Sequence, residues 1–217
     1  MSVKAVIFDM DGVIIDSEAF WQRAQIDVLA KQGIAITAEE CESATKGKRI
    51  DDIARIWCER YPLSLSSRQV EGQIVARVCS AICHEGVAMS GLDQALRSFH
   101  AAGYHLALAT SSCKQVIEVV FDRLNLWDWF DVVCSADEEP YGKPHPAVYH
   151  TVMAKLGLEA AECRVIEDSL SGFTAARRAK IETFVVAADY QDVKFTGALG
   201  RYPTLDELLD ALQPVLA

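Results

Sequence analysis

Lys4-Ala5-Val6-Ile7-Phe8-Asp9-Met10-Asp11-Gly12-Val13 is the stretch whose reading decides the fold. An apolar run without polar alternation describes a strand covered on both faces. Here the run ends in two carboxylates one residue apart. At the C-terminal end of a strand in a parallel sheet, such groups sit at the rim where open α/β folds bind ligands. Side chains alternate along a strand, so Asp9 and Asp11 can approach one site while Met10 points elsewhere. Gly12 lets the backbone leave the strand through conformations that other residues resist. Taken alone, the stretch also describes a strand followed by an Asp-rich turn, and the rest of the chain decides between the two.

Downstream, helices come first. The spacing predicts a helix from Asp16 or Ser17 to about Gln32, with Ser17 as N-cap, an apolar stripe of Phe20, Ala24 and Val28, and Gly33 as its stop. Thr37 with Glu40 forms a capping-box pattern for a second segment. The loop Thr45-Lys46-Gly47-Lys48-Arg49 leads to a third helix, Ile50 to Arg60, and a fourth begins at Ser66 or Ser67 and runs to about Cys83. No convincing strand lies between Ser17 and Glu85. From Gly86 onward the rhythm changes. Strands at Tyr104–Thr110, Asp131–Ser135, Arg164–Glu167 and Thr183–Ala187 alternate with helices at Gly91–Ala102, Lys114–Leu124, Ala147–Leu156 and Ser171–Ala179, and Thr204 caps a final leucine-rich helix. That alternation predicts an α/β fold with a doubly wound parallel sheet of Rossmann-like type. Residues 1–16 and 86–217 form a discontinuous core. Residues 17–85 form a small helical cap, inserted after the first strand and placed over its C-terminal end.

The chain totals narrow the function classes. At 217 residues, 51% apolar and 24% charged, the chain fits a globular core that carries a smaller unit. No apolar run approaches the ~20 residues of a membrane helix. Asp9 and Asp11 interrupt the only candidate signal segment, so a cytoplasmic protein is expected. The net charge of −10 disfavours nucleic-acid binding. It also means that an anionic ligand needs local cations or a metal. Seven scattered cysteines without a CxxC are expected as reduced, mostly buried thiols.

A parallel sheet delivers all its strand C-termini to one edge. Collected there are Asp9 and Asp11, then Thr110-Ser111-Ser112, then Lys143 before Pro144, then Glu167-Asp168-Ser169. Four converging carboxylates repel one another and raise pKa values unless a cation joins them. Oxygen-only ligands favour Mg²⁺. Lys143, the Thr110 hydroxyl and nearby backbone N–H groups suit the oxygens of a phosphoryl group.

In residue type and order these four segments resemble the motifs of the haloacid-dehalogenase-like superfamily, and the likeness covers essentially the whole chain. The second aspartate resembles that of its phosphotransferases rather than its dehalogenases. The helical insert looks like the cap of the β-phosphoglucomutase-like branch. The resemblance implies that Asp9 is the nucleophile that becomes an aspartyl-phosphate, and that Asp11 is the general acid and then the base. It further implies that Thr110, Ser111 and Lys143 bind the phosphoryl group. Mg²⁺ would be held by Asp9, Asp168, the Asp11 backbone carbonyl and, through water, Glu167. The Lys46–Arg49 loop resembles the cap specificity loop, with Lys46 and Arg49 as substrate cations. Trp21 stands where the mutases have a histidine, and Arg49-Ile50-Asp51 with Ile56-Trp57 looks more like the hexitol and 2-deoxyglucose-6-phosphate phosphatases of the branch. The Trp21 indole suits a sugar ring or a contact between cap and core. Lys114 suits a phosphate contact or a helix cap. The expected function is Mg²⁺-dependent hydrolysis of small sugar or sugar-alcohol phosphates by a monomer, with a phosphosugar mutase as the alternative.

Overall fold

The computed structural model describes residues 2–216. Six strands form one parallel sheet: β1 (Ala5–Phe8), β2 (His105–Thr110), β3 (Val132–Ser135), β4 (Cys163–Glu167), β5 (Glu182–Val186) and β6 (Gly200–Tyr202). Their spatial order is β3-β2-β1-β4-β5-β6. The order reverses direction at β1, which pairs with β2 on one side and β4 on the other. Ligands bind at such a switch point, and Asp9 and Asp168 follow the two strands that meet there.

Period-two alternation distributes β1 between two apolar layers. Ala5 and Ile7 join Ala107, Ala109 and Val165 on one face, beneath α7 (Ala147–Leu156) and α8 (Leu170–Arg178). Val6 and Phe8 join Leu106, Leu108 and Ile166 on the other. This second face is covered by α5 (Leu92–Ala101), α6 (Lys114–Leu124) and α9 (Leu205–Leu216). The short β6 was not anticipated. Its three residues, Gly-Arg-Tyr, are too few to alternate, and pairing with β5 creates the strand.

The insert comprises α1 (Glu18–Ala30), α2 (Ala38–Thr45), α3 (Ile50–Arg60) and α4 (Ser67–Glu85). Thr37–Glu40 and Ser66–Gln69 form complete capping boxes. Phe20, Ala24 and Val28 are buried as their spacing predicts. Ser17 departs from expectation: it precedes α1 but makes no capping bond, because its hydroxyl is used elsewhere. α1 and α3 pack on α4, and α4 packs on α6, so one apolar cluster runs from the insert into the core. The segments entering and leaving the insert pair with each other: Asp16 N–H donates to Val87 O at 3.3 Å and Met89 N–H to Ile14 O at 2.9 Å. All seven cysteines are free thiols, and burial pushes Cys41, Cys79 and Cys163 up to about 11. Among the described residues no helix is long and apolar enough to cross a membrane.

Candidate active site

The rim expected from the strand ends is assembled. Lys143 lies at its base with a side chain 1% exposed. Its ammonium donates to Asp9 Oδ1 at 2.9 Å, Ala109 O at 2.8 Å and Glu167 Oε1 at 2.6 Å. A lysine has three protons, so all three are taken within the protein. Lys143 therefore acts on Asp9 and Glu167, and it does not line the cavity above them. Glu167 is equally committed. Oε1 also accepts from Tyr149 Oη at 2.9 Å, and Oε2 accepts from the amides of Asp168 and Ser169 and from Ser169 Oγ. With every lone pair used, its carboxylate orients its neighbours and has none left for a direct metal bond. The first turn of α8 lies against it so closely that a Cβ at Gly172 would stand 1.7 Å from Oε1.

Asp11 is held differently. Its Oδ1 accepts from Ser17 Oγ at 2.5 Å and Trp21 Nε1 at 2.8 Å, and its Oδ2 from Ser112 Oγ at 2.7 Å. Two of these donors belong to the insert side and one to the core. Its carboxylate is not part of the close cluster formed by Asp9, Glu167 and Asp168. Any metal bond from Asp11 falls to its backbone carbonyl. Gly12, at φ +83°, carries the chain past Asp168, where a Cβ would stand 2.5 Å from Oδ2.

The hydroxyl run divides its roles. Thr110 is fully buried; its Oγ1 accepts from Ser112 N at 3.1 Å, and the residue is absent from the cavity wall. Ser111 and Ser112 are on that wall. Thr110 thus supports the turn in this geometry, and the phosphoryl role expected of it is open to its two neighbours.

Above Asp9 lies a cavity of about 50 Å³. Its core wall is Asp9, Asp11, Ser111, Ser112 and Asp168, and its insert wall includes Glu18, Trp21, Gln25 and Lys46–Lys48. Lys46 lies on the cavity wall and pairs with Asp168 Oδ2 at 3.2 Å. Ser111 Oγ and Ser171 Oγ donate to Gly47 O at 3.1 and 3.2 Å, fastening the loop to two core turns. Arg49 is a correction. It does not reach the cavity: its guanidinium donates to Ala136 O at 3.1 Å and Glu139 O at 2.7 Å and pairs with Asp51. It ties the insert to the β3–α7 loop. Lys114 pairs with Glu118 on α6, away from the cavity wall.

Burial, then repulsion from Glu167, holds Asp9 well above the usual carboxylate range, even though Lys143 pulls it down. Burial pushes Asp168 up to about 7, although Lys46 opposes the shift. Burial would lower Lys143, but Asp9 and Glu167 outweigh that, and its pKa stands well above the usual lysine value. Oxygens of Asp9, Glu167 and Asp168 all lie within 4.8 Å of one another. Crowded, buried, oxygen-only donors with an excess of negative charge are the donor set of a hard divalent cation. Asp9 and Asp168 fit such an ion directly.

A doubly wound sheet with two unequal aspartates after its first strand defines a Rossmann-like α/β core with an acidic, cation-fitting rim. The chain belongs to the haloacid dehalogenase-like hydrolase family, whose family model matches residues 6–186. Hexitol phosphatase B of Escherichia coli is 36% identical over 209 residues, covering 95% of this chain and 94% of that protein. A phosphorylated carbohydrates phosphatase of Thermotoga maritima is 30% identical over 220 residues, covering 99% and 100%. The crystal structure of CbbY from Rhodobacter sphaeroides, in complex with phosphate, superposes with a TM-score of 0.84 over 95% of this chain and 96% of that one. At 23% identity that likeness speaks for the fold alone.

Three contributors to the site were not singled out from sequence as ligands or supports: Ser17, Gln25 and Tyr149. Each sits in a helix or cap context where its polar side chain looks like an ordinary surface or capping residue. Only the contacts reveal its task.

Proposed function

We propose that this phosphoric monoester hydrolase releases phosphate from small sugar or sugar-alcohol monophosphates of the hexose or hexitol 6-phosphate type, through an aspartyl-phosphate on Asp9. The observation that carries the reading is the unequal support of the two aspartates. Asp9 is anchored from below by Lys143 at 2.9 Å. Asp11 is held from the side by three neutral donors, Ser17, Trp21 and Ser112. One carboxylate is thus fixed to attack and the other to carry a proton.

In the first step Asp9 bonds to phosphorus while the bond from phosphorus to the alcohol oxygen breaks, and Asp11 gives that oxygen its proton. In the second step Asp11 takes a proton from water as the water oxygen attacks phosphorus, and the Asp9 carboxylate is released. Phosphoryl transfer needs chiefly position and charge neutralisation. Mg²⁺, held by Asp9, Asp168 and the Asp11 carbonyl with Glu167 behind them, would neutralise the crowded carboxylates and the phosphoryl oxygens. Ser111 and Ser112 line the phosphoryl side.

Residues 17–85 act as a cap domain over the core of residues 1–16 and 86–217. A cavity of about 50 Å³ has room for a few water molecules, which suits a phosphoryl group but not a six-carbon alcohol. Substrate entry therefore requires the Lys46–Arg49 fastenings to release, and their return excludes bulk water.

The test is phosphate release from hexitol, hexose, deoxyhexose and pentose phosphates, before and after chelation. Turnover of the six-carbon esters that chelation abolishes is expected. Isomerisation of a sugar 1-phosphate without free phosphate would establish the mutase alternative instead.

A further inference from the structure

α1 presents two different faces. Phe20, Ala24 and Val28 take the apolar packing. Glu18, Trp21 and Gln25, spaced three and four apart, stand in line on another side of the helix, and all three line the cavity. Gln25 is 1% exposed and its orientation is locked. The Trp57 indole can only donate, so the atom it meets at 2.8 Å is Gln25 Oε1. Gln25 Nε2 gives one proton to Trp21 O at 3.1 Å. Among the described residues nothing takes its second proton. Glu18 is the opposite case: Oε1 accepts from Gln22 at 3.0 Å, and no donor among the described residues meets Oε2. The face therefore offers a fixed donor and a free acceptor, seven residues or roughly 10 Å apart along the axis, with an indole between them.

The mechanism places the alcohol here. In-line displacement puts the leaving oxygen opposite Asp9 and beside its proton donor. That donor, Asp11, touches Ser17 and Trp21. The leaving alcohol therefore emerges against α1. A polar site left unmatched costs binding energy, which makes hydroxyl recognition selective. An anionic group facing Glu18 in a closed cavity meets like charge.

We propose that the Glu18–Trp21–Gln25 face reads the alcohol half of the substrate. Glu18 accepts from one hydroxyl, Gln25 donates to another, and the Trp21 ring covers the carbon chain between them. Glu18 also rejects phosphate esters whose far end is a carboxylate, so the substrate class is the uncharged polyol monophosphate. The proposal rests on the phosphatase reading above.

The test compares two six-carbon esters that differ at the far end, a hexitol 6-phosphate and 6-phosphogluconate, with p-nitrophenyl phosphate as a gauge of chemistry alone. The wild-type protein is expected to favour the hexitol ester by about 100-fold in kcat/KM. Glu18→Gln is expected to cut that ratio by at least about tenfold, chiefly by admitting the carboxylate. Gln25→Met is expected to raise KM for the hexitol ester about tenfold, with a smaller change in kcat. Glu85→Gln, which removes a charge on the outer surface of the insert, should leave the ratio unchanged. Equal handling of the two esters by the wild-type protein, or an unchanged ratio in Glu18→Gln, would overturn the proposal. If p-nitrophenyl phosphate and both esters are all left intact by the wild-type protein, the phosphatase reading falls and this inference falls with it.

Discussion

The two walls of the cavity are built on opposite principles. Behind the core wall the supporting groups are spoken for: Lys143 uses three protons and Glu167 accepts five donors. On the insert wall Glu18 and Gln25 keep capacity in reserve. A saturated wall holds one geometry and can support one chemistry. An unsaturated wall waits for a partner and can discriminate among partners. The difference assigns reaction to the sheet and selection to the insert, and it can be tested one wall at a time.

The severest disruption is on the core side. Asp9→Asn removes the attacking oxygen, and phosphate release is expected to fall by at least ~10⁴-fold with the fold retained. Lys143→Met strikes the same wall through its support. It leaves Asp9 and Glu167 buried without their cation, and urea unfolding should show a loss of about 3–5 kcal/mol. Activity lost without that drop in stability would mean that Lys143 serves the substrate rather than the wall.

A third test uses pH on the chelated protein. Burial raises Asp168 from an ordinary carboxylate value to about 7, and Asp9 moves the same way. A group whose folded pKa is raised binds protons more tightly when folded. Its stabilisation is complete below the unfolded pKa and is lost as pH rises through the folded one. The unfolding midpoint should therefore fall between about pH 4 and pH 7. Added Mg²⁺ should flatten that slope, because the crowded carboxylates then have a counter-charge. A midpoint that rises over this window would contradict the burial argument.

The smallest effect expected belongs to the bridge between the walls. Trp21→Phe keeps a ring but removes the N–H that meets Asp11 at 2.8 Å. About a tenfold loss in kcat is expected, from one hydrogen bond that positions the Asp11 side chain. A change confined to KM would show that the indole serves the alcohol and not Asp11.

The same division explains what was legible in advance. The core wall follows from order along the chain: β1, β2 and β4 run into polar residues, and a parallel sheet brings strand ends together whatever lies between. Asp9, Lys143, Glu167 and Asp168 could thus be collected without coordinates. Helix bounds such as Ile50–Arg60 and Lys114–Leu124 were equally legible, because apolar period and end signals agree there. The insert wall has no such rule. A buried Gln25 and an exposed glutamine look alike in a sequence, since only packing decides which side of α1 is covered. Arg49 misled for a related reason. Cations beside a glycine suggest an anionic ligand, whereas backbone carbonyls of the β3–α7 loop, roughly ninety residues further along, meet its guanidinium. Thr110 was legible as the end of β2, but which hydroxyl of the run faces the cavity depends on how the turn folds.

Lys143 has one more consequence. Its three acceptors come from three adjacent strands: Asp9 just beyond β1, Ala109 within β2, and Glu167 at the end of β4. The ammonium is therefore a register pin as well as an electrostatic partner. A sheet slipped by one residue reverses which groups face the site and leaves a buried ammonium short of an acceptor, at a cost of about 1–3 kcal/mol or more for a charge. The chain that places Asp9 correctly for attack is also the one whose central strands are aligned, so correct assembly and reactivity are checked at the same atom.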